Sequence, residues 1–199
     1  MKRFIKTTIP ANEYKQVKRI GEKWLVHLEP SEVDQETGTV TCYEVMVDSE
    51  PDLVELGGEL QEWKAYLAGR ELEIAKQQKL AALAAYDKSG AVNSFEVVKD
   101  GQTIIAWIEP DKRSNYRGSL EDCVLLGVTE VEVPIAGILI PLTVADARVK
   151  LAQVQLYADR CAIVTEGHKA AIESLAIKDE VEAYNFKTGY PPKLVFSVE

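Results

Sequence analysis

The sequence Thr143-Val144-Ala145-Asp146 constrains the fold more than any other stretch of the chain. A Thr-x-x-Asp pattern opens a helix, because the threonine oxygen accepts a backbone N–H that the first helical turn leaves without a partner. Beyond it, Ala147, Leu151, Val154, Ala158, Cys161, Thr165, His168, Ile172 and Leu175 recur at alternating four- and three-residue steps. That spacing keeps one face of a helix apolar for about four heptads. A stripe this long must pack against something. Either it pairs with helices of other copies, or it lies across its own domain's sheet and the central helix. Thr165, His168 and three small residues make a poor coiled-coil seam, and Gly167 is a weak point, so the second arrangement is expected.

The remaining elements follow from this anchor. Residues 3–9 read as a first strand ended by Pro10. Alternation at Trp24, Val26 and Leu28, and again from Val40 to Val47, predicts a β-hairpin with an acidic loop around Glu36-Thr37-Gly38. After Pro51 the spacing of Leu53, Leu56, Leu60, Trp63 and Leu67 predicts a long helix, interrupted early by Gly57 and Gly58 and ending by Lys88-Ser89-Gly90. Residues 91–98 and 102–108, joined by Asp100-Gly101, form a second hairpin, since Asp-Gly supplies the positive φ angles of a tight turn. Asp111 is expected to cap a helix reaching Leu126 and closed by Gly127, with strands 128–135 and 138–142 after it. The Pro-rich Gly189-Tyr190-Pro191-Pro192-Lys193 is expected to run extended along the surface. The fold class is therefore α+β. A small N-terminal β-hairpin element (1–50) and a connecting helix (51–89) precede a C-terminal domain of antiparallel strand pairs packed with helices, with an extended tail (90–199).

Composition narrows the partners. A net charge of −9 works against phosphate-backbone binding, so nucleic acid is not expected. The charge is uneven: residues 1–23 hold seven Lys or Arg against two acids, and residues 24–63 hold eleven acids and no Lys or Arg. A basic edge for an acidic partner would produce this, and so would two solvated faces of one small domain, which is the expected origin. The longest nearly apolar run, 133–145, contains Pro134, Gly137 and Pro141 and falls short of the roughly 20 residues of a membrane helix, so no membrane insertion is expected. The opening MKRFIKTTIP has no apolar stretch of signal-peptide length behind it, which leads to the expectation of a chain that is not exported. Cys42, Cys123 and Cys161 follow no zinc-ligand spacing and read as reduced, buried thiols.

No motif marks a catalytic centre. His27 and Cys42 fall on adjacent predicted strands and could give two metal ligands, but no third is evident, so no metal or cofactor is assigned. His168 and Cys161 share a helix face seven residues apart, about 10 Å along the axis, and cannot meet as a catalytic pair. Glu29, Glu32, Asp34 and Glu36 read as a solvated loop, although a carboxylate pair for glycoside hydrolysis needs proximity only in space. Among Trp24, Trp63, Trp107, Tyr184 and Tyr190, the tryptophans read as core. Tyr190, beside Pro191 and Pro192, is the candidate protein-contact surface.

From about residue 75 to 194 the chain resembles a domain of unassigned function that recurs in tail-region proteins of phages and prophages of gut Bacteroides and relatives. The resemblance rests on AAYDKSGAVNSFEV at 84–97, Trp107 followed by Asp111-Lys112-Arg113, QLYADRCAIVTEGHKAAI at 155–172, and EVEAYNFKTGYPPKL at 180–194. The chain departs from the pattern at Asn185, where an acid is expected, and at strand 131–135, which lacks the usual aromatic. The resemblance implies a non-enzymatic structural or tail/fibre assembly protein acting through protein–protein contacts. Its partners would be other phage tail proteins and further copies of itself, in the host cytoplasm during assembly or in the virion. The alternatives are a polysaccharide-acting enzyme, which requires two converging carboxylates, and a sugar-binding adaptor, which requires exposed tryptophans on one face.

Overall fold

The first fifty positions form four strands: β1 (Ile5–Pro10), β2 (Val17–Ile20), β3 (Lys23–Leu28) and β4 (Thr39–Val47). The computed structural model describes residues 2–198. The strands form one antiparallel sheet in the order β1-β4-β3-β2. One face presents Val26, Leu28 and Val45, which pack with Phe4 against Leu56 and Leu60 of helix α1 (Leu53–Asp87). The hairpin expected from sequence is thus the centre of a larger sheet. β2 escaped prediction because Val17-Lys18-Arg19-Ile20 buries no side chain fully and so shows no alternation. Pro10 ends β1 as its last residue and is tolerated in the ladder because β1 is an edge strand.

Asp52 starts α1 by accepting the N–H groups of Val54 (2.8 Å) and Glu55 (3.2 Å). The helix continues for 35 residues straight through Gly57 and Gly58, against the expected interruption. Each glycine costs about 1 kcal/mol relative to alanine in a helix. Burial of the flanking Leu56 and Leu60 at roughly 2 kcal/mol each offsets that cost. The chain divides into two compact units, 1–73 and 74–199, with the boundary inside α1.

The second unit contains β5 (Phe95–Lys99), β6 (Gln102–Ala106), α2 (Pro110–Leu125), β7 (Glu130–Ile135), β8 (Ile138–Thr143), α3 (Val144–Ser174), α4 (Lys178–Ala183) and β9 (Val195–Val198). Asp100 and Gly101 both take positive φ in the β5–β6 turn, as their sequence predicts, and Ala136 and Gly137 do the same between β7 and β8. Three details correct the expectation. α2 begins at Pro110 with Glu109 at its cap position, so Asp111 sits in the first turn, where its charge favours the helix dipole without capping. α4 gives too short a pattern to read in advance. Residues 189–193 form neither helix nor strand, with Pro192 and Lys193 exposed, and the chain beyond them enters the sheet unannounced as β9, parallel to β5, giving the order β6-β5-β9. The domain is therefore not built from antiparallel pairs alone.

Thr143 caps α3 as expected, its Oγ1 accepting from the Asp146 N–H at 3.0 Å and donating to Asp146 Oδ2 at 2.8 Å. The helix then runs through Gly167 to Ser174. Of the predicted stripe, Ala147, Val154, Cys161 and Ile172 are buried and the other five positions are half-buried. Val154 joins Phe95, Val97, Ile140 and Phe196 in the main core, Ala147 packs with Leu120 and Val144, and Cys161 packs with Val92 and Tyr157. The stripe belongs to its own unit.

Candidate functional site

Tyr190 is spent on internal contacts. Thr165 Oγ1 donates to Asp87 Oδ1 at 2.7 Å, which leaves that same oxygen to accept the Tyr190 hydroxyl at 2.9 Å. The Tyr190 ring meets Tyr86 edge-on at 5.6 Å and His168 at 5.8 Å. Burial pushes the Tyr190 hydroxyl pKa up. Pro191 is half-buried and Pro192 exposed, so the three predicted contact residues do not form one free surface. His168 is held too: its Nε2–H donates to the Thr188 carbonyl and its Nδ1 accepts from the Tyr184 hydroxyl, both at 2.9 Å. A ring fixed at both nitrogens is a structural pin for the tail.

The other sequence candidates scatter. His27 is buried, with Nδ1–H donating to the Lys15 carbonyl at 2.6 Å and Nε2 lying 3.4 Å from Glu44 Oε2. In register it faces Glu44, whereas Cys42 faces Thr7. Among the described residues no group of three or more His, Cys, Asp or Glu could hold a metal. Cys42 and Cys161 are buried, and burial raises both thiol pKa values, while Cys123 is only half-buried. Of the loop acids, Glu29 pairs with Lys64 and Gln61 of α1, and Asp34 accepts the N–H groups of Glu36 (2.9 Å) and Thr37 (3.2 Å). Lys2–Glu59 (2.8 Å) and Lys23–Asp48 (3.0 Å) show the basic and acidic segments partly neutralising each other within the first unit. Trp24 and Trp63 lie in the first unit and Trp107 in the second, and all three are half-buried.

Two features of the second unit stand free of these internal duties. The first is the outer face of α3. Val149, Leu156 and Ile163, spaced seven residues apart, are 57%, 52% and 71% exposed. Ala145, Ala152 and Ala170 lie beside them and are exposed as well. A seven-residue interval of large apolar groups, flanked by small ones, is a seam that lets another helix approach closely. Beside it runs a groove between α2 and α3, lined by Arg117, Arg148, Val149, Ala152, Leu156 and Asp159. At its edge, buried Arg113 donates to the Ile108 carbonyl (2.9 Å) and Gln155 Oε1 (3.0 Å) with its guanidinium over Trp107, which makes the groove wall rigid. The α2 terminus adds Leu125 and Leu126, 84% and 79% exposed. The interval was readable in the sequence, but the stronger inner stripe on the same helix masked it.

The second feature is an apolar cleft of about 260 Å³, partly open to solvent, under the β7–β8 hairpin. Phe95, Val97, Ile140, Val154 and Phe196 line its depth, with α2 and α3 as walls. The polar groups on its wall are few: Lys150, Glu132, Ser119, Tyr116 and Cys123.

Compared with family models, curated proteins and solved structures, the chain matches none. Among the described residues no helix is long and apolar enough to cross a membrane.

Proposed function

We propose that this chain is a non-enzymatic phage tail-region protein, a structural part or a tail/fibre assembly factor, that acts through protein–protein contacts and first of all with a second copy of itself. The tail context rests on the resemblance of residues 75–194. The contact mode rests on one observation, the exposed seam Val149, Leu156 and Ile163 on α3.

The seam is symmetric about Leu156, with one large apolar residue seven positions to either side. Antiparallel pairing across a two-fold axis at Leu156 sets Leu156 on its own copy and Val149 on Ile163, which is the self-complementary geometry of a two-fold dimer. Charge agrees with this polarity. Residues 144–156 of α3 carry Arg148 and Lys150 against Asp146, whereas 157–174 carry Asp159, Glu166 and Glu173 against Arg160 and Lys169. Antiparallel helices place the net-positive half on the net-negative half; parallel helices oppose like with like.

Half-exposed Val, Leu and Ile side chains contribute roughly 1 kcal/mol each on burial, or about 6 kcal/mol for six of them before the cost of association. A gross 6 kcal/mol corresponds to a Kd no tighter than about 40 µM, and the cost of association weakens it toward the millimolar range, so the dimer is present only in concentrated solution and dissociates on dilution. Light scattering from about 1 mM to 1 µM should show mass falling from two copies to one, and Leu156→Glu should remain at one copy throughout. A wild-type protein that is monomeric at every concentration refutes self-association through α3.

A further inference from the structure

The cleft beneath the β7–β8 hairpin has a polar arrangement that the contact function does not use. We propose that it binds a small amphiphile with an apolar body and a single carboxylate, the carboxylate paired with Lys150 of α3.

Size sets the body. An apolar cavity of about 150 Å³ accommodates benzene. At about 260 Å³ this cleft takes a body somewhat less than twice as large, such as a saturated chain of roughly ten carbons or a two-ring aromatic. Lining it are Phe95, Ile140 and Phe196, which offer no hydrogen bonds to a polar body.

Charge sets the head. Lys150 is the one cation among the lining residues, and its Nζ lies 5.0 Å from the centre of the Phe196 ring. Acids outnumber bases 32 to 23 in this protein, yet Lys150 has no carboxylate within ion-pair distance among the described residues. An ammonium answered only by an aromatic face and water gains from a carboxylate brought by a ligand. The half-buried Cys123 thiol on the α2 wall provides a reporter, because Cys42 and Cys161 are buried.

The experiment measures protection of Cys123 from N-ethylmaleimide by decanoate below its micelle concentration and by decanol below its solubility limit, with isothermal titration on the same samples. Wild type should be protected by decanoate at a concentration at least tenfold lower than by decanol. In Lys150→Met, a half-exposed position whose fold is checked by circular dichroism, the two should protect equally and at the decanol concentration. No protection by either compound overturns the proposal. So does equal protection in wild type, and so does a decanoate preference that survives Lys150→Met.

Discussion

Placing single cysteines along the outer face of α3 tests the polarity of the proposed dimer as well as its existence. Packed helix axes lie 8–10 Å apart and Cα atoms sit about 2.3 Å from each axis, so residues that face each other directly have Cα atoms roughly 3.5–5.5 Å apart. A disulfide requires about 4.4–6.8 Å. With the two-fold axis at Leu156, a Leu156→Cys protein can link to itself. In Val149→Cys the two thiols lie fourteen residues apart along the pair, about 21 Å at 1.5 Å per residue, and cannot link. Mixing Val149→Cys with Ile163→Cys restores the contact and should give a mixed dimer. The background carries Cys123→Ser, leaves the buried Cys42 and Cys161 in place, and uses the exposed Glu173→Cys as an off-seam control. Mild oxidation above 100 µM, followed by non-reducing electrophoresis and peptide mass spectrometry, reads the pattern. Self-linking of Val149→Cys shows parallel helices and refutes the two-fold reasoning. Linking of Leu156→Cys no faster than Glu173→Cys refutes the interface.

The remaining expectations concern what holds the scaffold in place. Thr143→Ala removes the oxygen that caps α3 and should cost about 1 kcal/mol, or about 3–5 °C in the calorimetric transition of the second unit, with Thr143→Ser close to wild type; an unchanged transition in Thr143→Ala contradicts the cap. Ala136 holds φ 47° in a turn that favours Asn-Gly, so Ala136→Asn should stabilise the β7–β8 hairpin by about 1 kcal/mol, read as raised hydrogen-exchange protection of β7 and β8; lowered protection would contradict the turn geometry. The backbone N–H groups of Glu36 and Thr37 hold the Asp34 carboxyl below the ordinary carboxylate range. A depressed folded pKa means that the loop's stabilisation is full above the unfolded value near 3.9 and is lost as pH falls through the lower folded one. An NMR titration of Asp34 should therefore show a midpoint below 3.9, and an ordinary midpoint would dissolve the proposed turn.

How much of this was legible in the sequence depends on whether a residue's role was local. Thr143, Asp100-Gly101 and the α1 periodicity act within a few positions of themselves, so their consequences could be read directly. β9 could not: Val195-Phe196-Ser197-Val198 is a strand only because β5, a hundred residues earlier, offers it an edge. The placement of Tyr190 followed from the same long-range contact. A tail that enters the sheet must pass the Tyr86–Thr165–His168 surface, and its tyrosine is captured there rather than presented. Gly57 and Gly58 misled in the opposite sense, because their local cost was visible and the burial of Leu56 and Leu60 under the first sheet was not.

The two faces of α3 explain why the candidate sites lie where they do. A helix on the surface of a unit buries one side, and here Ala147, Val154, Cys161 and Ile172 fill that side while Lys150 and Leu151 reach the edge of the core. The cleft opens where that edge meets the β7–β8 hairpin, whose strands, among the described residues, pair only with each other. A two-stranded ribbon is marginal alone and depends on what it covers, so occupancy of the cleft and order in the hairpin are thermodynamically linked. The opposite side of α3 needs neither the hairpin nor the tail to keep Val149, Leu156 and Ile163 in line; it needs only the helix to be continuous. Breaking the helix at Gly167 with proline should therefore reach both the inner core and the C-terminal end of the seam, whereas Leu156→Glu should abolish pairing and leave cleft binding intact.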